Sequence, residues 1–158
     1  MINKSVIVVD LDNTVTDSRW RENMIGEAGW DAYHGASAAD PPVEPVIELI
    51  KMFYNAGYQI IAVTGRTARH QTITTQWLIR YEVPVGKILM RPDDDYRPAS
   101  IMKGVLLEAE LGEHWAEQVL LAIEDNESIA EMFTTAGVTV LRPVLAALDI
   151  AEVKDDQT

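Results

Sequence analysis

With no cysteine among its 158 residues, the chain can form no disulfide, carry no thiolate nucleophile and hold no Cys-ligated zinc. Positive charge is also scarce. Thirteen Lys plus Arg stand against 25 Asp plus Glu, a net charge of −12, which opposes non-specific grip on a long polyanion, so no stable duplex binding is expected. No apolar run approaches the ~18 residues that suggest a membrane span. The opening Met1-Ile2-Asn3-Lys4 leads straight into a short apolar run rather than a signal peptide. A soluble, cytoplasmic protein without a membrane partner is the expectation. A P-loop is missing as well: Gly86-Lys87 is followed by Ile88, and Tyr81 stands where the first Gly of G-x-x-x-x-G-K-[ST] belongs. Internal repeats and low-complexity segments are absent from the sequence.

What is present is 47% hydrophobic content, enough for one domain that buries roughly 70% of its unfolded surface. Apolar, β-branched runs predict strands near 5–9, 58–63, 87–90, 119–123 and 138–141. Helical spacing separates them, as in Val46-Ile47, Leu49-Ile50 and Phe53, and in Ile129, Met132 and Phe133. Repeated βα units predict an α/β fold: a doubly wound, Rossmann-like parallel sheet of five strands with right-handed crossovers. The domain is expected over residues 1–150, with a small lid after strand 1 at about 16–40 and a frayed tail at 151–158.

The chemistry-bearing residues follow the strands in order. Val6-Ile7-Val8-Val9 is a continuous apolar run, and it ends in Asp10-Leu11-Asp12-Asn13-Thr14. Two carboxylates thus reach the carboxyl edge of a buried parallel strand, where open α/β sheets bind ligands. One Asp can attack phosphorus while the other manages the leaving group's proton, with a divalent cation offsetting the negative charge. A calcium loop is excluded, since Val15 and Arg21 stand where Gly and Glu are required. Ile60-Ile61-Ala62-Val63 ends in Thr64-Gly65-Arg66, which offers a hydroxyl, a residue suited to a tight turn and a helix start that favours an anion. The plain alternative there is a turn with Thr67 as N-cap. Lys103, near the start of a helical pattern, is either a solvated charge or a point cation beside the carboxylates. Val119-Leu120-Leu121-Ala122-Ile123 ends in Glu124-Asp125-Asn126, either an oxygen set for Mg2+ or a helix cap.

Taken in order, DxDxT, TGR, Lys and EDN resemble the four motifs of the haloacid dehalogenase (HAD) superfamily of phosphohydrolases, from Asp10 to Asn126. The resemblance implies Asp10 as the nucleophile forming an aspartyl-phosphate and Asp12 as general acid/base. It also implies Thr64 and Lys103 as phosphoryl-binding groups, and Mg2+ held by Asp125 and Glu124 with Asp10 and the Asp12 backbone carbonyl. An acid at position 12 points to phosphoryl transfer rather than dehalogenation. Asn55 to Arg66, Met90-Arg91 with Asp95 and Arg97, Ile101-Met102-Lys103, Ala122 to Asp125 and Val138-Thr139-Val140 further resemble the 3'-phosphatase domain of bacteriophage polynucleotide kinase-phosphatases. That likeness implies a phosphorylated nucleotide or nucleic acid 3' end as substrate, with Gly65, Arg66 and Asn13 beside it and a further Arg at Arg21, for which Arg19 competes. Three positions depart from the family pattern. Asn13 replaces a Gly, a change eased by the readiness of Asn to adopt positive φ. Ala99 and Glu124 replace acids of the family pattern, Glu124 by one methylene more.

Other readings keep parts of this chemistry. The substrate could be a 5'-mononucleotide or a small phosphometabolite, which the acidity favours; a phosphoacceptor signalling domain and a non-catalytic metal-binding protein are alternatives of another class. The lid segment carries Trp20, Trp30, Tyr33, His34, Arg19 and Arg21, a mixture that suits base stacking with a held phosphate and equally suits tryptophans packed onto the sheet.

Overall fold

The computed structural model describes residues 3–148; the expected frayed tail at 151–158 lies outside the described residues. Five parallel strands form one sheet in the order β3-β2-β1-β4-β5: β1 (Val6–Val9), β2 (Gln59–Thr67), β3 (Lys87–Arg91), β4 (Val119–Ile123) and β5 (Thr139–Leu141). The register is tight at the centre, where Val9 pairs with Ala62 on one side and Ile123 on the other. Seven helices alternate with the strands: α1 (Met24–Glu27), α2 (Gly29–Gly35), α3 (Glu44–Asn55), α4 (Gln71–Arg80), α5 (Ala99–Leu111), α6 (Trp115–Gln118) and α7 (Glu127–Thr135).

The side-chain period of two along β1 divides the core. Ile7 and Val9 face Ile47 and Ile50 of α3 and Trp77 and Leu78 of α4, whereas Val6 and Val8 face Leu107 of α5, Trp115 of α6 and Phe133 of α7. A strand buried on both faces has no polar position to alternate with, hence the unbroken apolar runs. The chain leaves β1, builds outward through β2 and β3, then returns to the opposite side of β1 for β4 and β5. That reversal opens a crevice at the carboxyl ends of β1 and β4.

One expected turn is absent. Thr64-Gly65-Arg66 lies inside β2, and Gly65 is not among the positive-φ glycines. Pairing with β3 slips in register between Thr64 and Thr67 but resumes at Thr67 with Arg91, which keeps the strand extended three residues further. Thr67 flanks a short 3-10 turn (Ala68–His70) without a capping hydrogen bond from its side chain. The segment after β1 folds as a 3-10 turn (Arg19–Arg21), α1, α2 and a second 3-10 turn (Ala36–Ala39). No helix among the described residues is long and apolar enough to cross a membrane.

Candidate active site

Asp10 is the first residue past β1, and its N–H donates to the Ile123 carbonyl of β4, which fixes where its side chain emerges. The loop then wraps around a single carbonyl: the N–H groups of Thr14, Val15 and Thr16 all point to Leu11 O, at 3.1, 2.9 and 3.0 Å. This curl needs a left-handed residue, and Asn13 supplies it with φ of 58°. The Asn13 side chain, expected beside the substrate, is outside the cavity lining and serves the loop, accepting from Ser18 N and Oγ and donating to Glu22.

At the crevice floor lies a buried charge cluster. Lys103 Nζ from α5 donates to Asp10 Oδ1 at 2.7 Å and to Glu124 Oε2 at 2.8 Å. Thr14 Oγ1 donates to Asp125 Oδ1 at 3.1 Å and lies 3.4 Å from Asp10 Oδ2. Asp10, Glu124 and Asp125 each present a carboxylate oxygen within 4.8 Å of the others. Burial and then the charge of Asp10 push Glu124 up to about 8, against the pull of Lys103, and push Asp125 up to about 7. Burial favours loss of the Lys103 proton, but Asp10 and Glu124 hold its pKa above the ordinary lysine value. Three acids facing one ammonium leave an excess of negative charge. An all-oxygen set of this kind fits a hard divalent cation. Both Glu124 oxygens already have protein donors, since Oε1 accepts the Asn126 N–H, so Asp10 and Asp125 are the freer ligands. Asn126 also caps α7 by accepting from Ile129 N.

Asp12 is turned away from this cluster. Its Oδ1 accepts from Arg66 Nη2 at 2.7 Å and Arg21 Nη2 at 2.6 Å, and both arginines reach the fully buried Asp40. Burial alone would raise the Asp12 carboxyl; Arg66 and then Arg21 outweigh it and bring it down to about 2. Arg21 also donates to the Tyr33 carbonyl and covers the Tyr33 ring at 4.1 Å. Arg19 stays on the rim, paired with Asp17, so of the two arginines it is Arg21 that reaches the site. Thr64 is buried at the end of the apolar part of β2, with its hydroxyl oxygen accepting the Arg66 N–H.

A cavity of about 500 Å3 opens above, lined by Asp10, Asp12, Lys103 and Asp125, by Trp30 and His34 of α2, and by Arg91 and the loop after β3. Burial pushes His34 down to about 4, which keeps its imidazole neutral. Asp40 is the contributor that sequence reasoning missed, and Arg91, marked by the resemblance together with Asp95 and Arg97, is given no role in the site by that reasoning. Asp40 carries no local signal, because its partners lie 19 and 26 residues away. Arg91 donates to the Gly65, Asp95 and Arg97 carbonyls, and its place at the end of β3 was the available signal. Trp20 lies apart, donating to Asp40 and lining a separate hollow with Pro41 and Leu148.

The family model described as the polynucleotide kinase PNKP phosphatase domain matches residues 4–144. Among solved structures, the Pnkp1/Rnl/Hen1 RNA repair complex holds a chain 22% identical over 87% of this one, at a TM-score of 0.76. The match spans 42% of that chain, under half its length. A class C acid phosphatase from Bacillus anthracis with tungstate bound is 21% identical, covering 80% of this chain and 54% of its own at 0.59. A hydrolase from Streptococcus pneumoniae TIGR4 is 12% identical and matches 98% of both chains at 0.55. At such identities the structural matches speak to the fold.

Proposed function

The chain belongs to the family of the polynucleotide kinase PNKP phosphatase domain, a HAD-type phosphatase family, and from that premise we propose a Mg2+-dependent phosphomonoesterase that removes 3'-phosphates from nucleotides or nucleic acid ends through a phosphorylated Asp10. The observation that carries the reading is the placement of Asp10 at the end of the central strand. It lies 2.7 Å from Lys103, beside Glu124 and Asp125, on the floor of the cavity that also contains Asp12. Residues 16–40 form the lid of a single domain.

An Asp10 oxygen attacks phosphorus and the ester P–O bond breaks; the departing alkoxide takes a proton from Asp12. Asp12 then takes a proton from a water whose oxygen attacks the phosphorus, and the acyl-phosphate P–O bond breaks to restore the Asp10 carboxylate and release phosphate. Lys103 offsets the repulsion between the phosphoryl group and the carboxylates; Thr64, the hydroxyl that the resemblance gives a phosphoryl-binding role, is buried at the end of the apolar part of β2 with its oxygen accepting the Arg66 N–H. When bound by Asp10 and Asp125 with Glu124 beside them, Mg2+ supplies neutralisation of phosphoryl charge. As it stands, Asp12 is a base rather than an acid, because Arg66 and Arg21 hold it ionised. A phosphate drawn into the cavity, which Asp12 lines together with Asp10, adds negative charge beside Asp12. Like charge favours the neutral carboxyl, and this raises its affinity for the proton that the first step needs.

The 3' preference is supported by the family and by the motifs shared with the 3'-phosphatase domain. The net charge of −12 favours a small substrate, a 5'-mononucleotide or phosphometabolite, as the rival. Phosphate release with Mg2+ from a 3'-phosphorylated oligonucleotide, 3'- and 5'-mononucleotides and an aryl phosphate, with Asp10→Asn as the blank, separates the two. The expected result is faster turnover of both 3'-phosphates and none in the blank. Better turnover of 5'-nucleotides would transfer the chain to nucleotide metabolism, and full activity of Asp10→Asn would end the phosphoenzyme mechanism.

A further inference from the structure

Trp30 and Tyr96 line the same cavity as Asp10, one from α2 and one from the loop after β3, yet they are 61% and 90% exposed. Neither plugs the core. The lid is packed by Tyr33 and His34, which are buried to 6% exposure each. What surrounds Trp30 holds it in place instead. His34 lies against it at 5.8 Å with 28° between the ring planes, His70 continues the row at 5.6 Å from His34, and Tyr33 meets Trp30 edge-on at 5.6 Å. One face of the indole is thereby backed by the His34 ring while much of its surface stays open.

Resting on the phosphatase reading above, we propose that Trp30 and Tyr96 are the specificity-determining contacts for a nucleobase, which stacks on Trp30 and is closed over by Tyr96 while its phosphate reaches Asp10. Charge around the cavity supports this division of labour. Arg69 is committed to Asp31 and Asp93, and Arg97 to Asp95. Arg91, the further cation of the lining, gives its N–H groups to the Gly65, Asp95 and Arg97 carbonyls. With these cations engaged, aromatic surface is what remains to hold a ligand outside the phosphate site. A planar base with two π-faces is the ligand such surface recognises, largely irrespective of base identity. Trp20 takes no part, since its N–H is engaged by Asp40 and it lies outside the cavity.

The test measures binding by calorimetry, using Asp10→Asn protein with Mg2+ and two ligands, adenosine 3'-monophosphate and its base-free sugar phosphate. The additional substitutions are Trp30→Ala, Trp30→Phe, Tyr96→Ala and, for comparison, Trp20→Ala. We expect the nucleotide to bind at least about tenfold tighter than the base-free phosphate. Trp30→Ala and Tyr96→Ala should each weaken nucleotide binding by about 5- to 100-fold and leave base-free binding unchanged, with Trp30→Phe retaining most of the affinity. Equal affinity for the two ligands, or nucleotide binding indifferent to both alanine substitutions, overturns the proposal. Tyr96 is a loop residue exposed on all sides, so its substitution tests the clamp without the risk of unfolding. Hydrolysis of a base-free phosphate by the unsubstituted protein is read separately. Its absence counts against the phosphatase reading, whereas turnover with no base discrimination counts against the clamp alone.

Discussion

Asp12 anchors two buried arginines besides the proton transfer proposed for it, and that anchoring goes with an Arg21 that has no exposed surface at all. Its fork is fully engaged: Nε and Nη2 meet Asp40, Nη2 also meets Asp12 at 2.6 Å, and Nη1 meets the Tyr33 carbonyl. Arg21→Ala should destabilise the fold by about 3–5 kcal/mol, because it leaves Asp40 buried with its main counter-charge removed. Arg21→Lys should recover only part, as an ammonium cannot reproduce the planar fork. Denaturant midpoints measure both, and an unchanged midpoint for Arg21→Ala would show the network to be energetically idle. The acidic cluster gives a second expectation. Glu124 and Asp125 have folded-state values raised to about 8 and about 7, so between pH ~4.5 and ~8 the folded protein without metal binds more protons than the unfolded chain. Stability must then fall as pH rises through that window. A divalent cation requires the ionised carboxylates, so its binding releases protons and tightens as pH rises. Melting curves at pH 5.5 and 8 should show the metal-free protein weaker at pH 8 and the gain from added Mg2+ larger there; equal gains at both would refute the cluster as the metal site.

Elements were the scale at which sequence patterns worked best. Apolar, β-branched runs marked all five strands to within a residue at their starts; at the central β1, buried at every position, coverage on both faces explains the unbroken run. The exception was the end of β2, where Gly65 and Arg66 form an irregularity inside the strand because pairing with β3 holds on both sides of them, at Thr64 with Met90 and at Thr67 with Arg91. Long-range pairing outweighs local turn preference there. The helix α5 carries Gly104 one position after Lys103, in its middle. A Cβ built on Gly104 would meet only Met132 Sδ, at 3.9 Å, an ordinary contact. Gly104→Ala should therefore stabilise the protein by about 0.5–1 kcal/mol through reduced backbone freedom of the unfolded chain. A rise of the melting temperature reports this, and a fall would show that α7 cannot accommodate the added methyl.

At the scale of the whole molecule, an acidic chain that acts on an anionic substrate has to confine its positive charge. Lys103, Arg21 and Arg66 are all buried at the site, while Arg19, Arg69 and Arg97 are paired with acids and Arg91 is held by backbone carbonyls. Contacts to more than one phosphate of a strand are not provided for. For a 3'-phosphorylated substrate, kcat/KM should change by no more than about threefold between a mononucleotide and a hexanucleotide. The salt dependence should correspond to about one phosphate, where each neutralised phosphate of a single strand contributes a log–log slope of about −0.7. A slope steeper than about −2 would reveal a groove for the strand that the charge distribution does not suggest.

The positions of the strands along the chain, the acids at their carboxyl ends and the family motif were determined by the sequence, because each rests on local signals: an apolar run, then a short polar string. Asn13 is the clearest case, since its tolerance of positive φ is intrinsic to the residue and the loop uses it at 58°. Which way each side chain turns was decided by the tertiary structure. Asp10 and Asp12 are two residues apart in the chain, yet one joins Lys103, Glu124 and Asp125 and the other joins Arg21, Arg66 and Asp40. The choice between Arg19 and Arg21, and between Trp20 and Trp30 as the aromatic beside the site, was likewise made by partners far away in sequence. Neighbours along a chain share an element; charge compensation in a buried site is set by which elements the fold brings together, and that information is not local.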